Sequence, residues 1–511
     1  MRKTFTLSMS WLHTWAGLVL GWILFGVLLT GSIAVFHSEI TYWASPEVRG
    51  GLHPSPTRSL LVGQAFLERQ VPNSRMWRIE LPSGRSPALK VSWRNDKGAT
   101  TVRQLDPETG AAIARETDAG GFFLDYHYML NIDRTKNMAG FLLVGLAGVG
   151  MLVASISGIV VHKRIFKDFF LFRPRGSGQR AWLDGHNLLA VLPLPFHIMM
   201  AYTGLVILYW VYIPAAVHVL YQGKTEPFRR EAIALEYRDF KTPAGGPAPL
   251  RPLPDLLKRA EDQLGVGKIA YVYVRDPGRS NATFEAYRSR EDYVTQQVQQ
   301  VALSAVTGAT LRVRQDSPAA RTQSFIAALH FIEWGGPIVR WFYFLAGLAS
   351  TGMVASGLIV FVRKRAERRQ VPAWLPWVDR INVAAMAGIT LACIAFLWAE
   401  RLTPAAWPHR IDGPVMAFFW TWAAAAIHAA VRPPARAWTE QLGLTAALCI
   451  GAPLLNGLGW RNLVTLDTVR LGMDLTLVAS GICLLAIAWA VSKAGGEKPA
   501  KSAKSAKAAG R

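Results

Sequence analysis

Four histidines recur at matched points along this chain, and they are the residues with the clearest chemical potential. His13 precedes Thr30-Gly31 by 17 residues, and His186 precedes Thr203-Gly204 by the same interval. His127 precedes an apolar stretch with Gly145-Leu146-Ala147 and Gly150-Met151 that ends at Lys163-Arg164. His330 precedes Gly347-Leu348-Ala349 and Gly352-Met353, ending at Lys364-Arg365. Imidazoles are common metal ligands, and an ionisable group near a bilayer core marks function by default. One such histidine is equally well explained as a hydrogen bond between helices. Four at repeat-equivalent positions are not, because packing alone rarely selects the same polar residue twice. Depth divides them into an inner pair, His13 with His186, and an outer pair, His127 with His330. Each layer offers two neutral imidazoles to a planar cofactor, for which bis-histidine haem b, two per chain, is the natural candidate. No CxxCH signature of covalently attached haem occurs. A zinc or copper site needs three or four converging ligands, and few carboxylates or thiols accompany these histidines. Glu333 lies at i+3 from His330, but an exposed helix face explains it as well.

Two further histidines have no repeat partner. His162 ends the second apolar stretch beside a basic cluster, as an ordinary polar residue or an additional ligand. His197 follows Pro193 and Pro195, 11 residues after His186, and so lies about three turns further along nearly the same face. It either ligates a haem or lines a path between the layers. His37, His53, His218, His409 and His428 are assigned to interfaces or loops.

The elements that position these residues are membrane helices. The chain has 511 residues, 51% of them hydrophobic. Eight windows approach or exceed the ~20 apolar residues that cross a ~30 Å hydrocarbon core: 12–36, 138–161, 187–213, 338–362, 380–399, 414–431, 441–459 and 471–491. The expected fold is a polytopic α-helical membrane protein of about eight spans whose first half is internally duplicated. The first span is too long for a removed signal peptide and lacks a small-residue cleavage site. The net charge of +22 clusters beside span ends, at Arg2-Lys3, from His162 to Arg180, from Arg363 to Arg369, and in the tail after Ser492. The positive-inside rule then puts both termini in the cytoplasm, and the charge sets topology instead of binding nucleic acid. Cys393, Cys449 and Cys483 read as small buried hydrophobes, not a disulfide framework.

The expected organisation is a first span in 1–43, an outer loop module in 44–125 and a second span in 126–165. A basic cytoplasmic loop (166–182), a third span (183–218), a second outer module (219–322) and a fourth span (323–365) follow. A four-span bundle (366–492) and a disordered basic tail (493–511) complete the chain. Each outer loop reads as a small α+β module: a helix at 60–69 or 253–264, then strands at 76–81, 88–93 and 101–105, or at 269–274, 283–287 and 298–303. A Thr-Gly turn follows in both, at Thr109-Gly110 and Thr307-Gly308. No phosphate loop, dinucleotide glycine fingerprint or nucleophile elbow occurs in a plausible context. Electrons therefore enter from a membrane quinol or a separate cytosolic reductase.

The chain resembles the PepSY-associated transmembrane family, also described as iron-regulated membrane proteins. The resemblance rests on Leu12-His13 with Thr30-Gly31, the turn Asp106–Gly110, and Ser157-Gly158 through Lys163-Arg164. It continues in Phe166–Phe170 with Phe172-Arg173-Pro174, Leu183-Asp184-Gly185-His186-Asn187, Pro195-Phe196-His197, Tyr202-Thr203-Gly204 and the run from Leu329-His330 to Gly335-Gly336. It covers about residues 5–365 and implies two periplasmic PepSY-like modules on a bacterial inner membrane. Some members are haem-containing reductases that release iron from ferric siderophores. The resulting expectation is a di-haem electron-transfer protein that reduces a ferric chelate in the periplasm. Two rivals are a non-enzymatic protein whose modules bind or regulate a peptide or protease, and a metal or siderophore transporter. The transporter lacks the intramembrane carboxylates that often mark ion pathways.

Overall fold

A computed structural model describes residues 2–48, 54–94, 99–132, 138–162, 178–233, 245–295, 297–457 and 467–496. The expected cytoplasmic loop lies outside these residues except for its last positions, as do the motif Phe166–Pro174 and the tail beyond Gly496. Among the described residues, six helices are long and apolar enough to cross a membrane. They lie in α1 (Arg2–Ala34), α5 (Ala139–Val161), α10 (Gly336–Ala366), the continuous pair α11 (Leu375–Val383) and α12 (Ile389–Leu402), α13 (Asp412–Val431) and α15 (Thr468–Gly496). A seventh is broken: α6 (Gly178–Val191) and α7 (Leu194–Ile207) pass the same test together but meet at a 63° bend. Proline causes the break, since Pro193 has no N–H to donate to the carbonyl four residues back and its ring crowds that turn.

The window at 441–459 falls on α14 (Pro434–Gly451) and the short helix Leu454–Gly457. The 18 residues of α14 extend about 27 Å. Trp438 near its start lines a cavity with Arg363 of α10, while Asn456 beyond its end bonds Arg401 of α12. It packs beside α15, but with Arg436 and Glu440 in its first turns it is not among the described helices apolar enough to cross a membrane, so the expected span at 441–459 is not one of the six or seven. Between α11 and α12 the chain makes a π-helical turn, Ala384–Gly388, and the Trp422 indole donates to its Ala384 carbonyl at 2.9 Å. Cys393 and Cys449 are buried as expected, whereas Cys483 faces outward.

The two outer loops do not form separate modules. They merge into one seven-stranded antiparallel sheet in the order β3-β2-β1-β4-β5-β6-β7. The first half supplies β1 (Met76–Glu80), β2 (Leu89–Arg94) and β3 (Thr100–Leu105). The second supplies β4 (Ile269–Arg275), β5 (Thr283–Arg288), β6 (Gln300–Ser304) and β7 (Thr310–Val313). The seam is the β1–β4 ladder, with Ile79 opposite Val272 and Trp77 opposite Val274. An exposed edge carries unpaired backbone donors and acceptors, and the pairing removes one such edge from each half. Helices α3 (Pro56–Gln70) and α8 (Leu253–Leu264) share a single core with the sheet, in which Leu60, Leu67, Ile79, Leu253, Val272 and Val301 are fully buried. β7 went unread in the sequence because all four of its residues are exposed. The turns after β3 and β6 carry the same bonds: Gly110 N–H to Asp106 O and Gly308 N–H to Ser304 O, both 2.9 Å, with each glycine at positive φ.

A buried polar clasp ties the C-terminal bundle to the first half. Glu400 of α12 pairs with Arg410 at 2.8 Å, both almost fully buried, and accepts from Thr117 Oγ1 at 2.9 Å. Arg115 donates to the Glu400 and Thr403 carbonyls and to Glu47. On α2 (His37–Ala44), the Trp43 indole donates to Asp474 of α15 at 2.8 Å, and Arg470 caps the Ser45 and Val48 carbonyls just beyond it.

Two outcomes test this architecture. Val272→Asp at the seam should expose 56–105 and 253–313 to limited proteolysis together, whereas independent modules would lose only the second. Arg410→Met should cost about 3–5 kcal/mol by stranding a buried carboxylate, and adding Glu400→Gln should recover most of the lost thermal midpoint.

Candidate functional site

The four repeat-matched histidines meet in two pairs. His13 on α1 and His186 on α6 face each other with ring centroids 6.3 Å apart, at 67° between planes. His127 on α4 (Ala119–Met129) and His330 on α9 (Pro318–Phe331) stand 5.9 Å apart at 31°. Along α1 the inner pair at His13 and the outer pair, which meets α1 at Val27, are about 21 Å apart, at 1.5 Å per residue. Between them Leu24, Ala147, Met151 and Ala201 form a small apolar core.

Each ring is oriented by a backbone carbonyl of a neighbouring helix. His13 Nδ1 donates to Ala154 O at 2.8 Å, His186 Nδ1 to Met353 O at 2.9 Å, and His127 Nδ1 to Val27 O at 2.7 Å. His330 bonds the Met200 carbonyl, with Thr203 Oγ1 3.1 Å from Nδ1. Ser157 and Ser356 lie 3.4 and 3.3 Å from the inner Nδ1 atoms. Only an N–H can pair with a carbonyl oxygen, so the His13, His186 and His127 rings are Nδ1–H tautomers with the lone pair on Nε2. Among the described residues, none of the four Nε2 atoms has a hydrogen-bond partner, and all four residues are half-buried.

The carbonyls are reachable because a glycine follows each at i+4: Gly158 after Ala154, Gly357 after Met353, Gly31 after Val27 and Gly204 after Met200. A helical side chain leans back over the preceding turn, so any larger residue there would cover the carbonyl. A Cβ at Gly31 would overlap the His127 ring. At Gly204, Gly357 and Gly158 it would come within 2.9, 3.1 and 3.2 Å of His330, His186 and His13. Gly17, one turn from His13, faces open space instead. Sequence reading singled out Gly31 and Gly158 but missed Gly357, although the Ser-Gly dipeptide at 157–158 recurs at 356–357.

The two unmatched histidines stand apart from this arrangement. His197 is fully buried with both ring nitrogens engaged: Nε2 lies 3.0 Å from Leu189 O and Nδ1 2.8 Å from Ser350 Oγ. Leu189 O is the acceptor left without its donor by Pro193, so His197 repairs the break in the helix. His162 caps α5, its backbone N–H donating to Gly158 O at 3.0 Å. Among the described residues, no three His, Cys, Asp or Glu side chains converge as a metal site. Glu333 pairs with Arg290 at 3.5 Å, away from any ligand role.

Each pair could hold a group between two imidazole nitrogens. Two metal–imidazole bonds of about 2 Å, with the ring radius added on each side, put the centroids about 6 Å apart. The ring separations of 6.3 and 5.9 Å are of that size in both layers.

These features belong to a membrane protein with a sheet domain on one end and paired histidines in its helical core. The chain is a member of the PepSY-associated TM region family, whose profile matches residues 10–364. It is 26% identical over 402 residues to a protein of Pseudomonas aeruginosa described as uncharacterized, covering 72% of this chain and 95% of that protein.

The glycines provide a test. Gly31→Ala should displace the His127 ring and lower the thermal midpoint by several degrees. Gly17→Ala, which adds helix propensity in open space, should leave it unchanged or raise it.

Proposed function

We propose that the chain is a di-haem electron-transfer protein of a bacterial inner membrane, built by duplication, that reduces a ferric chelate such as a ferric siderophore. The observation that carries this reading is the pairing of His13 with His186 and of His127 with His330 at 6.3 and 5.9 Å. Each pair would hold one haem b. Bound there, haem b supplies a reversible one-electron couple at each end of the helical core. The chain's own part is to fix three of the tautomers through Nδ1–carbonyl bonds and to keep water from the space between the layers with Leu24, Ala147, Met151 and Ala201. His197 and His162 are left out of the proposed ligand set, the first because both its ring nitrogens are engaged.

Duplication is supported by the shared offset of 173 residues between His13 and His186, Val27 and Met200, and Gly31 and Gly204. Ala154 and Gly158 match Met353 and Gly357 at a common offset of 199. Counting the broken pair as one crossing and α14 as another gives eight, with both termini on the cytoplasmic side and the sheet in the periplasm. Reduction suits iron release because hard oxygen ligands hold Fe(III) far better than Fe(II). The donor is a membrane quinol or a cytosolic reductase.

Purified protein should show a reducible b-type spectrum with two haems per chain by pyridine extraction. Ala at either member of one pair should remove one haem, and His197→Ala should retain both. Folded protein without haem would refute the proposal.

A further inference from the structure

A cavity of about 130 Å³ lies between the first half and the C-terminal bundle, beside the inner histidine pair and not at it. Its walls are Trp182 of α6, Ile359 and Val362 of α10 and Trp438 of α14, with Arg363 and Asp379 as its charged groups. Trp182 stands one helical turn from His186 on the same face. Ile359 follows Gly357, the glycine that abuts the His186 ring. The Asp379 carboxylate accepts a hydrogen bond from the Trp438 side chain.

Size and chemistry narrow the occupant. An apolar cavity of about 150 Å³ is known to bind benzene, so this one admits a single six-membered ring. Aromatic walls suit a flat ring face. A carboxylate acceptor and a guanidinium donor suit a ring bearing two oxygens. An acyl chain would offer neither charged group a hydrogen bond, and a lipid phosphate would meet the Asp379 carboxylate as a like charge.

We infer that this cavity binds the head group of a membrane quinol, one of whose hydroxyls donates to Asp379. The choice of quinol rests on the electron-transfer reading above. The overall balance is one quinol and two ferric chelates giving one quinone, two ferrous ions, two released chelators and two protons, with Asp379 the first proton acceptor.

The test uses the full chain in lipid nanodiscs with a short-tailed benzoquinone, alone and as an azido derivative mapped by mass spectrometry after photolysis. Saturable labelling near Trp182, 359–363 or 435–438, displaced by unlabelled quinone, is the expected result. Ala435→Phe and Val491→Phe, which fill the cavity from two sides, should each weaken binding at least tenfold without changing haem content. Asp379→Leu should weaken the quinol more than the quinone. Labelling elsewhere, displacement by phospholipid alone, or unchanged affinity in both filling variants overturns the inference. Saturable labelling here in protein that binds no haem supports the site and removes the electron-transfer reading, whereas haem without quinone binding removes the site alone.

Discussion

The bond from an imidazole to a carbonyl inside a neighbouring helix, made through Nδ1 by His13, His127 and His186, is the constraint on which the rest of the site depends. A helical carbonyl already accepts from the residue four positions on, and the imidazole uses its second lone pair. That lone pair is reachable only if nothing covers it. The side chain at i+4 leans over that oxygen, which is why Gly31, Gly158, Gly204 and Gly357 all stand four residues beyond an accepting carbonyl. Their helices must then remain regular through those turns, since glycine in a helix interior costs roughly 1 kcal/mol relative to alanine. Packing of α1 against α5 and α10, and of α6 against α10, supplies that regularity. The carbonyls cannot change protonation state, so the tautomer they impose does not depend on any titrating neighbour.

The second copy departs from the first at one place, and the departure accounts for its extra histidine. Position for position, Leu20, Trp22 and Leu24 of the unbroken α1 match Pro193, Pro195 and His197. Losing the Pro193 N–H orphans the Leu189 carbonyl, and a buried unsatisfied acceptor is expensive where no water can reach it. The His197 ring fills that vacancy from the next turn, and Ser350 of α10 engages its other nitrogen. Leu24, with no break to mend, packs instead among Ala147, Met151 and Ala201. A histidine without a repeat partner is here explained by local backbone chemistry alone.

What was legible in the sequence follows from which forces are periodic. The apolar windows revealed most of the membrane helices, and alternation revealed six of the seven strands. The depth sorting of His13 with His186 and His127 with His330 matches the pairs the fold brings together, because both follow from span direction. The merger of the two outer loops was not legible, since Ile79 and Val272 look like ordinary core residues until the β1–β4 ladder pairs them. Nor could residue types reveal the accepting carbonyls, which belong to Val27, Ala154, Met200 and Met353 and carry no side-chain signature. The window at 441–459 reads as a span in the sequence, whereas α14, with Arg436 and Glu440 in its first turns, is not among the six or seven described helices apolar enough to cross a membrane.

The merged sheet and the C-terminal bundle both act on the outer pair, and they do so unequally. His127 and His330 sit on short helices, each of which follows one half of the sheet, so a rigid β1–β4 seam limits how far α4 and α9 can separate. On the α4 side there is a second restraint. Phe122 stacks on Phe396 of α12 at 4.0 Å, Tyr126 packs on Phe418 of α13, and Arg115 with Thr117 holds the approach to α4 against Glu400. On the α9 side the restraints come from within the first 366 residues, with Tyr343 of α10 donating to the Leu329 carbonyl at 3.0 Å and the Trp334 indole to Ala328 O at 2.8 Å. Helices α12 and α13 thus buttress one histidine-bearing helix of the outer pair directly and the other only through the sheet. The bundle's structural part is to help keep two rings 5.9 Å apart on helices of only 11 and 14 residues, which are marginal in isolation.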